Sequence, residues 1–294
     1  MESLKEIRTR IATVRSTRQI TSAMKMVAAS KLRRAQDRII QLRPYTNKLY
    51  DILSYLSNNN LQEEEKNIFM QEREQGKVLI VVITSNRGLC GPFNANVIRQ
   101  SLELAQITYT DHLQRGDLHF ITIGKKGTEI LKSKKYPVVA SYNELFDDLS
   151  FVKVAPLAEQ TINDFMDAKY DKIEIVYNQF KNAAVQILTV EQFLPIKINI
   201  KHNNETKNLY YILEPDKDYI LEKTIPRALK IQFYKAILDS YVSEQGARMT
   251  AMHQATDNAT ELLRELTLYY NKARQAAITK EILEIVGGSE ALKA

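Results

Sequence analysis

The sequence predicts an α/β body, Rossmann-like with a mostly parallel sheet, inserted between two long terminal helices that form an antiparallel left-handed coiled coil. Three observations predict it. Apolar residues near both ends recur at alternating steps of three and four, short β-branched runs alternate with helical stretches in the middle, and the helical pattern from Pro226 to Val286 has no proline after its first residue.

The first helix is predicted over residues 1–60. Leu4, Ile7, Ile11 and Val14, and later Ala28, Leu32, Ala35, Ile39 and Leu42, follow a coiled-coil seam. Between them the register is expected to break, because its continuation would place Arg18, Thr21 and Lys25 on the seam. Ile20, Met24 and Val27 offer a displaced stripe for another neighbour. Pro44 lacks an amide proton, so a kink or short break is expected near Arg43, with the pattern resuming at Leu49, Ile52, Leu53 and Leu56.

Residues 61–76, glutamate-rich and aperiodic, read as a connector, and residues 77–218 as the body. Its strands are expected at Val78–Ile83, Leu118–Ile123, Val138–Ala140, Lys172–Tyr177 and Val185–Phe193, the last joined antiparallel through the short link Gln179–Ala184. Helices are expected from Pro92, from Lys125 to Lys134 and from Ala155 to Met166. A polar loop at His202–Asn208 and the turn at Glu214-Pro-Asp precede the last helix, placed in residues 219–294. Its seam reads Met252, Ala255, Ala259, Leu262, Leu266, Tyr269, Ala273, Ala276, Lys280, Leu283, and Gly287-Gly288 should stop it. A helix of this length, at about 1.5 Å per residue, suits a slender rod held inside a sleeve better than the core of a compact domain.

Composition narrows the function classes. The longest apolar run is Val78–Ile83, far short of the ~20 residues of a spanning helix, so membrane association is expected to be indirect. The formal charge of +6 is concentrated at the start: Met1–Arg43 carries eleven Lys or Arg against three acids. An acidic partner surface is implied. Cys90 is the single cysteine and the four histidines are scattered, so no intrachain disulfide and no metal-ligand spacing is present. The Arg- and Ser-rich N-terminus also resembles a targeting leader, but its periodicity continues far beyond a leader's length, which favours a structural helix.

No residue pattern carries chemistry: no catalytic, cofactor-binding or metal-binding residues are expected. Thr84-Ser-Asn-Arg-Gly-Leu-Cys-Gly91 sits where phosphate loops sit, yet it lacks both the Lys-Ser/Thr ending and the third glycine of a dinucleotide fingerprint. A structural turn is the simpler reading, and a packing role for Cys90 is simpler than a nucleophile without a base. A basic helix could also grip nucleic acid, although Met1–Pro44 has no aromatic residue to support it. Met24, Met26, Met249 and Met252 suit core packing, or a surface that slides past changing neighbours. A nucleotide-using Rossmann-like enzyme and a coiled-coil nucleic-acid binder therefore stand as alternatives to a component of a larger assembly.

The terminal strings are more specific. Ser3-Leu-Lys-Glu-Ile-Arg-Thr-Arg-Ile11 and Ile20-Thr-Ser-Ala-Met-Lys-Met-Val-Ala-Ala-Ser-Lys-Leu-Arg-Arg-Ala-Gln36 resemble the gamma subunit of F-type, bacterial-type ATP synthases. So do the runs Ala247–Leu263 and Leu268–Gly288 and the turn Arg87-Gly-Leu-Cys-Gly91, whereas Gly124–Asp218 matches only in outline. The resemblance implies a non-catalytic rotor shaft that couples ion-driven rotation to ATP synthesis. Implied partners are a hexamer of three alpha and three beta subunits, the epsilon subunit and the membrane c-type rotor ring, with no cofactor and no nucleic acid. It further implies beta-subunit contacts at Met24, Lys25, Lys31, Arg274 and Gln275, and contacts of the body with the ring and epsilon at Tyr210, Tyr211, Glu214 and Asp216. A peripheral position on the cytoplasmic side of a bacterial inner membrane follows from it. Gly246 departs from the family's usual alanine, at a cost of about 1 kcal/mol in helix propensity, and Pro92 and Phe93 depart within the turn. The chloroplast form's cysteine pair is absent, which excludes thiol regulation of that kind.

Overall fold

Six consecutive aliphatic residues form β1 (Val78–Ile83), buried along its whole length on both faces, and this places it at the centre of a sheet. The computed structural model describes residues 3–58, 68–71, 73, 76–196 and 217–291. Flanking β1 are β2 (Leu118–Ile123) and β4 (Lys172–Phe180), both parallel to it. β3 (Val138–Tyr142) adds parallel to β2, and β5 (Gln186–Leu194) adds antiparallel to β4, giving the order β3-β2-β1-β4-β5. The predicted mixed sheet is therefore present.

Crossover helices connect the parallel strands, as a right-twisted sheet requires. α2 (Phe93–Glu103) continues into a π-helical turn, Leu104–Thr108, and α3 (Thr110–Arg115) before β2; α4 (Lys125–Ser133) joins β2 to β3, and α5 (Phe151–Met166) joins β3 to β4. Val97, Ala105, Tyr109 and Leu131 pack on Val78, Ile80, Val82 and Phe120 to form the core on one face. Sequence periodicity did not anticipate the π-helical turn.

The terminal helices are α1 (Leu4–Asn58) and α6 (Lys217–Ala291). The chain divides into two compact units, Met1–Ala29 with Arg248–Ala294, and Ser30–Ala247, so each helix contributes to both.

Four expectations about these helices are corrected. The register of α1 does not break: in the first unit Thr21 is buried on the seam, 9% exposed, whereas Ile20 and Val27 are each 57% exposed. Geometry holds the 3,4 step through polar residues, leaving Ile20 and Val27 outside while Met24 is half-buried. Pro44 does not interrupt α1, because it lies on the solvent side and its neighbours are anchored. Arg43 donates to the Phe180 carbonyl at 3.3 Å and the Thr46 hydroxyl to that of Leu42 at 3.0 Å. α6 starts before Pro226, and it runs through Gly287 and Gly288, neither of which adopts the left-handed conformation that ends a helix. Along α6 the buried stripe passes Met252, Ala259 and Leu266 as predicted, then shifts by one residue to half-buried Tyr270 and Ala277, leaving Tyr269 and Ala276 exposed. One extra residue in the repeat keeps the stripe on one side of a helix with 3.6 residues per turn.

Gly246 also has a local reason. A Cβ there would stand 3.1 Å from the carbonyl oxygen of Ala183 and 3.2 Å from its Cα, so its absence lets the backbone of α6 approach the β4–β5 hairpin.

Candidate functional site

The turn after β1 is where a phosphate-binding loop would need outward amides. Here its polar groups face inward instead. The Lys126 amide donates to the Ser85 carbonyl at 3.1 Å, the Gly127 amide to Thr84 Oγ1 at 2.9 Å and the Lys125 amide to Asn86 Oδ1 at 3.0 Å. The first donors of α4 are thus capped by the turn itself. Ser85 is tied to Asn94 by its amide, 2.9 Å from Oδ1, and by its hydroxyl, 2.8 Å from Nδ2. Gly124, at φ +103°, supports this closure, since a Cβ would lie 2.2 Å from the Thr84 carbonyl oxygen. The loop is built as a brace between β1, α2 and α4.

Cys90 belongs to the same brace. It is 1% exposed, packs with Phe93 and Ala247, and accepts from Asn94 Nδ2 at 3.3 Å. A nucleophile needs access, which this burial denies. Among the described residues no group of three or more His, Cys, Asp or Glu is arranged to hold a metal ion. His119 Nδ1 is buried without a hydrogen-bond partner, and burial, followed by Lys77, lowers its pKa. His112 and His253 meet one neighbour each, the Tyr109 ring and Asp257.

The body also carries buried polar pairs that sequence patterning missed. Tyr109 donates to Glu174 at 2.6 Å and Lys172 reaches the same carboxylate at 3.2 Å. Tyr177 and Gln232 each donate to Glu191 at 2.7 Å. Burial and the adjacent carboxylates push both tyrosines well above the usual phenol range. Asp239 on α6 is fully buried, with neither oxygen making a well-formed hydrogen bond. Its pKa is raised to about 6, mainly by burial, against the opposing pull of Lys235, Arg43 and the Phe180 backbone. Arg43 Nη2 stands 3.8 Å from Asp239 Oδ1. The one signal for these pairs is an acid inside an apolar run, such as Glu174 within Lys172–Tyr177.

The residues expected to contact other subunits are distributed differently. Met24 and Lys25 lie half-buried on α1, about one turn from Thr21, beside exposed Met26 and Val27. Arg274 and Gln275 are exposed on α6, about five turns beyond Thr256. Thr21 and Thr256 are hydrogen-bonded, so at least about four turns separate the two pairs whichever way the helices run. Lys31 is exposed and belongs to the other compact unit. Tyr210, Tyr211, Glu214 and Asp216 lie outside the described residues, as do His202–Asn208 and most of the connector. Apolar side chains continue on the outside of α6, at Leu268, Ile278, Ile282, Leu283, Ile285 and Val286, an unusual number for a helix facing water.

The family profile described as ATP synthase matches residues 3–292. The chain is 50% identical to the ATP synthase gamma chain of Cytophaga hutchinsonii and 53% identical to that of Christiangramia forsetii, each across 99% of both chains. Among solved structures it resembles a chain of the Tetrahymena thermophila mitochondrial ATP synthase central stalk and c-ring, with TM-score 0.60 and 27% identity over 80% of this chain and 99% of that one. It shares its fold with a chain of the Euglena gracilis mitochondrial ATP synthase, TM-score 0.68 at 22% identity, covering 98% of this chain and 94% of that one.

Proposed function

Because this chain belongs to the ATP synthase gamma-chain family, we propose that it is the central rotor shaft of a bacterial F-type ATP synthase, coupling ion-driven rotation to conformational change in the catalytic beta subunits. Full-length identity at half of all positions, on a fold with two long helices flanking a five-stranded sheet, is the observation that carries this reading.

In this reading residues 1–60 and 219–294 pair as an antiparallel left-handed coiled coil, residues 77–218 form the foot and residues 61–76 the connector. The hexamer of alpha and beta subunits encloses the coil. The exposed apolar residues on the outer face of α6 support such a sleeve, since they gain a dry environment only from other chains. Lys25 and Lys31 supply positive charge for acidic loops of the beta subunits, with Met24 as their apolar companion, and Arg274 and Gln275 form a second contact. Tyr210, Tyr211, Glu214 and Asp216 are assigned to the ring and epsilon contact. The chain attaches peripherally, on the cytoplasmic face of the inner membrane, through the ring. No helix among the described residues is long and apolar enough to cross a membrane, which fits an indirect attachment.

The mechanism is differential contact. A shaft with unlike faces favours a different conformation in each of three chemically identical catalytic subunits, whereas a shaft touching all three alike would shift none of them. The inward-turned loop at Thr84–Gly91 leaves the chemistry to those subunits. Expression in a bacterium lacking its own gamma chain tests the proposal. Recovery of the chain with the alpha-beta hexamer and restored ATP-driven ion pumping in inverted vesicles are expected; an assembled hexamer that excludes the chain would overturn it.

A further inference from the structure

We propose that Thr21 and Thr256 form a register pin that fixes how far α1 and α6 are advanced along one another in the first compact unit. The inference rests on the paired-helix reading above. Three observations carry it.

First, the seam of α1 is apolar before and after, at Ile7, Ile11, Val14 and again at Ala28, but polar at Arg18, Thr21 and Lys25 in between. Thr21 is nonetheless 9% exposed, as deeply placed as an apolar seam residue need be. Second, its hydroxyl meets another hydroxyl across the interface. Thr256 Oγ1 donates to Thr21 Oγ1 at 2.9 Å, and Thr21 Oγ1 in turn donates to the Arg18 carbonyl at 3.1 Å; Thr256 also lies 2.7 Å from the Met252 carbonyl. Reversing the shared proton gives the alternative chain Thr21 to Thr256 to Met252, so both hydroxyls are satisfied in either sense. Third, stretches of this interface are poor in shape information. Buried Ala28 and Ala259, and half-buried Ala255, Ala273 and Ala277, present nearly identical small knobs beside the larger Met252, Leu266 and Tyr270.

Alanine stretches discriminate weakly between one alignment and the same alignment displaced by a heptad, about 10 Å along the axis. Displacement would remove Thr21 from Thr256 and leave each hydroxyl with only its own-helix carbonyl, Arg18 or Met252, and no partner across the interface. A polar contact across the polar stretch of the seam thus disfavours the displaced alignments, at some cost in stability, as buried polar residues do in other coils. It is a positioning contact. In the rotor it fixes the level at which Arg274 and Gln275 stand relative to Met24 and Lys25.

The test uses the assembled complex carrying spin labels at Q19C and N258C, both exposed sites near the pin. The unaltered pin and T21S, which keeps the hydroxyl, should give one narrow label-to-label distance. T21V and T256V should broaden it or add a second, longer-distance population, since an axial slip of about 10 Å adds in quadrature to the lateral separation of the labels, with ATP-driven pumping falling severalfold more than ATP hydrolysis. The double variant T21V/T256V removes both polar partners, so it should assemble at least as well as either single variant while keeping the broadened distribution. A distance as narrow in T21V and in the double variant as in the parent would overturn the pin. Failure of the rotor reading is a separate result: the chain with its pin intact would then support no pumping at all, whatever the distances.

Discussion

Replacing Asp239 by asparagine should stabilise the folded chain increasingly as the pH rises from 4 to 8. The carboxyl group is fully buried, and its pKa moves from 3.8 to about 6 on folding, because burial disfavours its charge more than Lys235, Arg43 and the Phe180 backbone favour it. A folded-state value above the unfolded one means that the folded protein binds this proton more tightly. Its contribution is therefore most favourable below 3.8, declines across the window from 3.8 to about 6, and is fully lost above it. At about 1.36 kcal/mol per pH unit, the loss is about 3 kcal/mol. Asparagine has a similar shape and no charge to bury, so its own packing cost enters as an offset that does not change with pH. Urea titration of the full chain, followed by tyrosine fluorescence at several pH values, measures the difference between the two proteins. For slopes of about 1–3 kcal/mol per molar, the midpoint of D239N should gain about 1 M or more on that of the parent between pH 4 and 8. A constant gap between the curves, or a gap that moves the other way, would refute the argument that burial governs this carboxyl.

Other expectations follow from the brace and the coil. G124A should destabilise the body by several kcal/mol, since a methyl group would meet the Thr84 carbonyl in a backbone conformation that L-residues rarely adopt; a thermal midpoint within 2 °C of the parent, about the measurement error, would contradict it. Cys90 should react with a maleimide only as fast as the body opens, so its labelling should be slow in buffer and rapid in denaturant, with a free exposed cysteine such as Q19C as the control. Charge reversal at K25E and K31E together should weaken the coupling of rotation to catalysis, with K31E alone, at an exposed side chain, as the variant that leaves the fold intact; undiminished ATP synthesis would count against their assignment.

The sheet was legible from residues alone because each strand carries its own pattern. Val78–Ile83 has no polar residue and became the central strand, and the short link after Gln179 correctly required an antiparallel neighbour. The helices were legible in kind but not in register. Hydropathy assigned the stretch around Thr21 to a second stripe, whereas the helical repeat carried the seam straight through it and the hydroxyl found a partner 235 residues away. Pro44 and the paired glycines near the end were read as interruptions on local propensity; long-range anchoring by Arg43 in one case, and right-handed glycine backbone in the other, decided otherwise. The subunit contacts are of a different type. The contacts proposed for Met24, Lys25, Arg274 and Gln275 would be made to the surfaces of other chains, so neither the periodicity nor the fold of one chain carries the complementarity that would define them.

Gly246 gives the body an unusual mechanical joint. Side chains packed between a helix and a hairpin form a compliant layer whose rotamers yield under load, but here the helix backbone and the Ala183 backbone face each other so closely that a methyl group would crowd the Ala183 carbonyl oxygen at 3.1 Å and its Cα at 3.2 Å. In the proposed rotor, twist carried by α6 would reach main-chain atoms here directly, as a key bears on its slot, with little backlash between the helix and the hairpin.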